Sequence, residues 1–189
     1  MNYVFLAPGF EEIEAVTPID VLRRAGLEVT VVSIVPGEKA VTGANGVTYV
    51  ADVCIDGMNA ADADWLILPG GLPGSTNLYE CAPLADMLRA HMAKGGHTAA
   101  ICAAPAVVLG QLGLLRGRRA TCYPGCENMC EGAEMIASPV VADGNLITGW
   151  GPSAALPWAY AIVDAAAGRD TADALREGML FNRTFSKQA

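Results

Sequence analysis

The stretch His97-Thr98-Ala99-Ala100-Ile101-Cys102-Ala103-Ala104-Pro105-Ala106 decides how this chain is read. An apolar run, Thr98–Ile101, ends in a thiol, and Pro105 stands where a helix can begin. Proline is tolerated in a first helical turn because the N–H groups there have no partner within the helix. The run therefore reads as a buried strand feeding a helix over Pro105–Leu112, with Cys102 at the elbow. Free N–H groups and the positive end of the helix dipole favour a thiolate at such a place. Cys102 is thus the candidate reactive group. The plain alternative is a small core residue, since cysteine is among the most buried types.

Working outward, the same pattern recurs. Tyr3–Ala7, Glu28–Val32 and Trp65–Leu68 are strand-like. Helical stretches lie at Glu11–Ala25, Pro83–Lys94, Ala154–Ala167 and Thr171–Gly178. Short apolar runs alternating with helices predict an α/β fold whose parallel sheet is covered on both faces. Pro18 cannot donate to the Glu14 carbonyl, so the first helix starts late or bends, leaving Glu14 near irregular backbone. Asn45-Gly46 within Thr42–Val50, and Asp143-Gly144 between Val140–Ala142 and Leu146–Thr148, mark two hairpins. They are expected as antiparallel pieces added to the parallel sheet. A length of 189 residues suits a single domain over 1–189. Phe181–Ala189 reads as a mobile tail or a partner-binding arm.

Composition narrows the function classes. The chain is 52% apolar and only 17% charged, which fits a packed globule and not a disordered segment. Its net charge of −8 argues against a general nucleic-acid surface, which needs clustered Lys and Arg. The N-terminus runs straight into a strand pattern without a basic start, and no apolar run approaches the ~20 residues of a membrane span. A cytoplasmic protein without membrane partners is expected, its six cysteines mostly reduced.

In an open parallel sheet, ligands bind beyond the carboxyl ends of the strands. Glu14 follows the first strand, Gly70-Gly71 follows Trp65–Leu68, and Cys102 follows Thr98–Ile101. The glycine pair can expose N–H groups closely to a ligand, and with the Ala103 N–H it makes a candidate oxyanion pocket. A plain Pro-Gly-Gly turn is the bland reading. Glu14 near a thiol would either repel a thiolate or carry a proton and donate it. His97 begins the strand that ends at Cys102, so about 16 Å separates them, and His91 lies inside the preceding helix. A Cys–His triad within the chain is therefore not expected. Tyr123, after a short strand-like stretch at Arg119–Cys122, either reaches the pocket with its O–H or is a packed aromatic. Cys122, Cys126 and Cys130 would share a face of a helix, but Gly125 interrupts it; buried thiols or a redox partner for Cys102 are favoured over a metal site. Cys54 and Cys81 read as structural or incidental. Phosphate-loop and dinucleotide spacings are absent, and no cofactor or metal is expected.

These residues together resemble the DJ-1/PfpI superfamily, closest to its DJ-1/ThiJ branch. The landmarks are Gly9-Phe10-Glu11-Glu12-Ile13-Glu14, Pro18 to Gly26, Leu68-Pro69-Gly70-Gly71, Ala100 to Pro105, and Gly151-Pro152. The resemblance covers almost the whole chain. It implies a flavodoxin-like three-layer α/β sandwich with a mostly parallel sheet, and a homodimer. It places the family's reactive cysteine on Cys102 and its protonated glutamate on Glu14, with backbone donors at Gly71 and Ala103. Family activities include glutathione-independent glyoxalase, protein deglycation, chaperone action, oxidative-stress sensing and, in the PfpI branch, peptide hydrolysis. Departures matter. Tyr123 stands where many relatives have histidine, Ala103 where the PfpI branch has histidine, and Asn45 and Trp150 where arginines are frequent. The peptidase reading is weakened accordingly. The expected function is small-aldehyde or dicarbonyl metabolism of the glyoxalase type at Cys102, Glu14, Gly70, Gly71, Ala103 and Tyr123. The rivals are an oxidation sensor with little turnover and a chaperone-like dimer.

Overall fold

The computed structural model describes residues 1–58 and 60–185. Along the chain run β1 (Asn2–Leu6), α1 (Glu12–Arg24), β2 (Val29–Ser33), β3 (Ala40–Thr42), β4 (Thr48–Val50), β5 (Val53–Cys54), β6 (Trp65–Leu68), α2 (Gly74–Glu80), α3 (Ala82–Ala93) and β7 (His97–Ile101). There follow β8 (Arg119–Ala120), β9 (Glu134–Met135), β10 (Val140–Asp143), β11 (Leu146–Gly149), α4 (Ala155–Ala167), α5 (Arg169–Gly178) and α6 (Phe181–Phe185).

Seven strands form one sheet in the order β10-β11-β7-β6-β1-β2-β5. Neighbours are parallel except β10, which runs antiparallel to β11 at the edge. Side chains alternate across a strand, so one strand feeds two cores. Val4 and Leu6 of β1 join Ile67, Ala99 and Ile101 under α1 and α4, whose Ile19, Leu22, Trp158 and Ile162 complete that layer. Phe5 joins Leu66, Leu68 and Ala100 under α2 and α3, through Leu78, Leu84 and Leu88. The result is the flavodoxin-like three-layer sandwich, and continuous apolar strands are what burial on both faces demands.

Several local expectations are corrected. α1 runs unbroken through Pro18, so Glu14 sits in its first turn and not in irregular backbone. Acidic Glu12 and Glu14 at its start and basic Arg23 and Arg24 at its end suit the helix dipole. α2 was not anticipated, because Gly-Ser-Thr-Asn is a weak helix former; it is held by its buried Leu78. The helix behind Cys102 is a wide π-helical turn over Pro105–Gly110. Pro105 supplies no N–H and Val107 and Val108 are β-branched, which weakens a tighter turn. The β3–β4 hairpin forms as read, but as a separate two-stranded sheet and not an addition to the main one. The Arg119–Cys122 stretch is strand only over β8, paired with β9 apart from the main sheet. Part of the presumed tail is α6, where Phe181 packs edge-on to Tyr160 at 5.1 Å; residues 186–189 lie outside those described. Among the described residues no helix is long and apolar enough to cross a membrane.

Candidate active site

Cys102 follows the last residue of β7 and adopts φ 63°, the left-handed region that costs a non-glycine residue ~1–3 kcal/mol. Both of its backbone groups are held. Its N–H donates to the Gly149 carbonyl at 2.8 Å, and its own carbonyl accepts the Tyr123 N–H at 2.7 Å. The strained turn lifts the side chain out of the strand, and the N–H groups of Gly71 and Ala103 point at the sulfur. The residue as a whole is 8% exposed.

Glu14 reaches the same point from α1 and is fully buried. Its carboxyl lies against the Cys102 thiol. Oε2 accepts the Gly70 N–H at 2.9 Å. Oε1 is equally buried and has no hydrogen-bond partner. Gly70 is what lets the two groups meet: a Cβ there would stand 2.7 Å from both the Cys102 Cβ and Glu14 Oε2. Gly71, at φ 90°, is packed as closely, since a Cβ would come 2.4 Å from the Glu11 nitrogen. The two loops are tied by Glu11 N–H to the Gly70 carbonyl at 3.0 Å and Gly74 N–H to the Gly9 carbonyl at 3.1 Å.

Burial dominates the electrostatics. It pushes the Glu14 carboxyl up to about 7, against the pull of the Cys102 and Gly70 hydrogen bonds. It also pushes the Cys102 thiol up to about 12, helped by the Glu14 charge, against the Gly71 and Ala103 N–H groups. The elbow alone therefore does not favour a thiolate while Glu14 is ionised. The two groups titrate as a pair. A proton placed on Glu14 removes the charge that opposes the thiolate and leaves the two N–H donors facing the sulfur. Between the two ionisations the pair keeps one proton, which either group can hold.

The residues singled out in the sequence are placed as follows. Cys102, Glu14, Gly71 and Ala103 converge. Gly70 adjoins them, but its N–H is directed to Glu14 and not to open space. Tyr123 is joined to Cys102 through its backbone. Its half-exposed ring lies beside Gly151, in a cleft of about 400 Å³ shared with Pro124, Trp150 and Pro152. Asn45 is engaged elsewhere, donating through Nδ2 to Glu12 at 2.9 Å. His97 stacks on Trp65 at 4.7 Å and its carbonyl meets His91 Nε2 at 2.9 Å, both at the opposite end of the strands. Sequence reasoning missed Gly149, the carbonyl that anchors Cys102; its signal was the strand end before Trp150-Gly151-Pro152. Among the described residues no group of three or more His, Cys, Asp or Glu side chains is arranged to hold a metal ion.

Residues 2–165 match the model of the DJ-1/PfpI family. The chain is 39% identical over 168 residues to Protein DJ-1 homolog B of Arabidopsis thaliana, covering 88% of this chain and 38% of that protein. This chain thus spans well under half of that relative's length. It is 38% identical over 179 residues to Protein dj-1beta of Drosophila melanogaster, covering 94% of this chain and 95% of the relative. The solved structure of oxidised Toxoplasma gondii DJ-1 superposes with a TM-score of 0.90 at 36% identity, covering 94% of this chain and 96% of that one.

Proposed function

The chain belongs to the DJ-1/PfpI family, in its DJ-1/ThiJ-like branch, and from that premise we propose that it isomerises small dicarbonyls as a glutathione-independent glyoxalase, turning methylglyoxal into lactate. One observation carries the reading. A buried thiol and carboxyl lie against each other where two N–H groups face the sulfur and one carboxyl oxygen is without a partner.

The reaction follows from that inventory. With the shared proton on Glu14, the Cys102 thiolate adds to the aldehyde carbon, and the carbonyl electron pair moves to oxygen. The Gly71 and Ala103 N–H groups meet the developing charge, and Glu14 delivers its proton to make the hemithioacetal. Glu14, now ionised, takes the proton from the former aldehyde carbon, and the electron pair moves through an enediol as the neighbouring carbonyl oxygen gains a proton. Glu14 then returns its proton to that neighbouring carbon, while the hydroxyl on the first carbon gives up its proton and becomes the carbonyl of a 2-hydroxy thioester. Water cleaves the thioester and restores the thiol. Gly70 holds Glu14 in place through its N–H. The proposal includes a cytoplasmic homodimer; light scattering that returns a monomer mass overturns that part.

Purified protein with methylglyoxal is the test, read as lactate formed. The wild-type chain is expected to turn over, C102A to fall to background, and E14Q to be strongly impaired. Absence of protein-dependent lactate rejects the proposal. A second reading has its own support, because donors around a sulfur also hold an oxidised sulfur. In it Cys102 is an oxidation sensor. Intact mass after mild peroxide then shows oxygen added at Cys102 before Cys54 or Cys81; equal reactivity of the three rejects it.

A further inference from the structure

Cys122 and Cys130 are the strongest unabsorbed feature of the molecule. Both are 4% exposed and both belong to the core beneath α2 and α3. The segment between them is folded back on itself. Gly125 takes φ 95°, the Cys126 N–H donates to the Tyr123 carbonyl at 3.1 Å, and the Cys130 N–H donates to the Glu127 carbonyl at 3.0 Å. Within this folded loop both thiols lie in one buried cluster and interact with each other, while the Cys122 Sγ–H also donates to the Tyr123 carbonyl at 3.5 Å. Cys126 is only half-buried and packs at the edge of the same cluster. Cys122 also lines a cleft of about 230 Å³ with Thr121, Pro124, Glu127, Ile136 and Trp150, room enough for a small oxidant.

We propose that Cys122 and Cys130 are a dithiol that a hydroperoxide closes to a disulfide, a second redox site independent of Cys102. Two thiols that share a proton do not ionise alike: the hydrogen bond from Cys122 favours the Cys130 thiolate, while Cys122 keeps its proton. A thiolate of the pair attacks one peroxide oxygen, the O–O bond breaks, and hydroxide leaves to become water. The sulfenic acid so formed is attacked by the other sulfur. The S–S bond forms, the S–O bond breaks, and a second water departs with the remaining thiol proton. Two thiols and one hydrogen peroxide give one disulfide and two waters, the sulfurs losing the two electrons that peroxide gains.

The position makes the site consequential. Tyr123, next to Cys122, donates its N–H to the Cys102 carbonyl and places its ring beside Gly151. Closing the loop fixes the segment whose Tyr123 N–H supports the Cys102 carbonyl.

The test uses C102A, so that oxidation of Cys102 does not enter, and hydrogen peroxide as oxidant. After blocking of residual thiols under denaturing conditions, a loss of two mass units and a cross-linked Cys122–Cys130 peptide are expected, reversed by dithiothreitol. The same peptide is expected from the wild-type chain, which guards against a C102A variant that folds poorly. C102A/C122S and C102A/C130S are expected not to lose the two units. Full alkylation of both cysteines after peroxide, added oxygen on a single cysteine, or a link involving Cys126 instead overturns the proposal. Because lactate formation is not read, failure here leaves the glyoxalase proposal standing, and the reverse holds.

Discussion

The two ends of the same parallel strands differ in kind. Where β1, β6 and β7 finish, Glu14, Gly70 and Cys102 are crowded so closely that one extra Cβ would strike two of them at 2.7 Å. Where those strands begin, Asp64, His91 and His97 lie around a cavity of about 560 Å³, larger than the cleft beside Tyr123. These three each have an ordinary partner: the N-terminal amine for Asp64, the Trp65 ring for His97 and the His97 carbonyl for His91. The larger space is thus at the end with no group poised for chemistry. What distinguishes the other end is an acid whose burial raises its proton affinity, beside a thiol on strained backbone. Strands entering a sheet deliver satisfied ends, whereas strands leaving it deliver loops and helix starts with free N–H groups.

The comparison breaks most visibly at Glu14. E14Q keeps the shape but removes the transferable proton, and kcat/KM for methylglyoxal is expected to fall by ~10²- to 10⁴-fold. A retained rate would place proton transfer elsewhere. The wild-type rate is expected to rise through about pH 7 as the pair loses its first proton, and to stay level above it. A rate that instead falls through neutral pH contradicts the shared-proton account.

Stability gives a second, opposite readout of the same residue. The folded Glu14 carboxyl holds its proton well above the ordinary value of 4.5, so its contribution is complete below that pH and is lost as pH rises through about 7. The shift corresponds to about 3 kcal/mol. E14Q cannot ionise, so denaturant unfolding is expected to show the variant gaining stability over wild type from about pH 5 to pH 8. Identical pH dependence of the two proteins would mean that burial does not set the state of Glu14.

Gly70→Ala comes next in size. The added methyl would overpack Cys102 and Glu14, with an expected cost of ~1–3 kcal/mol in urea unfolding together with reduced turnover. Unchanged turnover in a folded G70A protein would show that the two side chains need not touch. The smallest effect belongs to the other end. His97→Ala removes the stack on Trp65 and is expected to cost ~0.5–1.5 kcal/mol of stability, with kcat/KM within twofold of wild type. A loss of turnover comparable to that of E14Q would end the distinction between the two ends.

Much of this was legible in the residues. Tyr3–Ala7, Trp65–Leu68 and Thr98–Ile101 announced buried strands by unbroken apolarity, and Asn45-Gly46 and Asp143-Gly144 announced their turns. The edge that carries Glu14, Gly71 and Cys102 followed from strand direction. The π-helical turn after Cys102, the helix α2 and the uninterrupted passage of α1 through Pro18 were not legible. In each, core contacts outweigh a weak or contrary local preference, and propensity alone does not report them.

The sequence by itself determined a parallel sheet covered on both faces and the loop ends at which candidate reactive residues collect, because periodicity and turn residues act over a few neighbours. Only the tertiary structure decided that Glu14 meets Cys102, that Gly70 serves the acid while Gly71 serves the sulfur, and that Cys122 meets Cys130. Each of these depends on how far water is excluded and on contacts between distant segments. A proton's affinity for a carboxyl or thiol is a property of those surroundings and not of the residue that bears it.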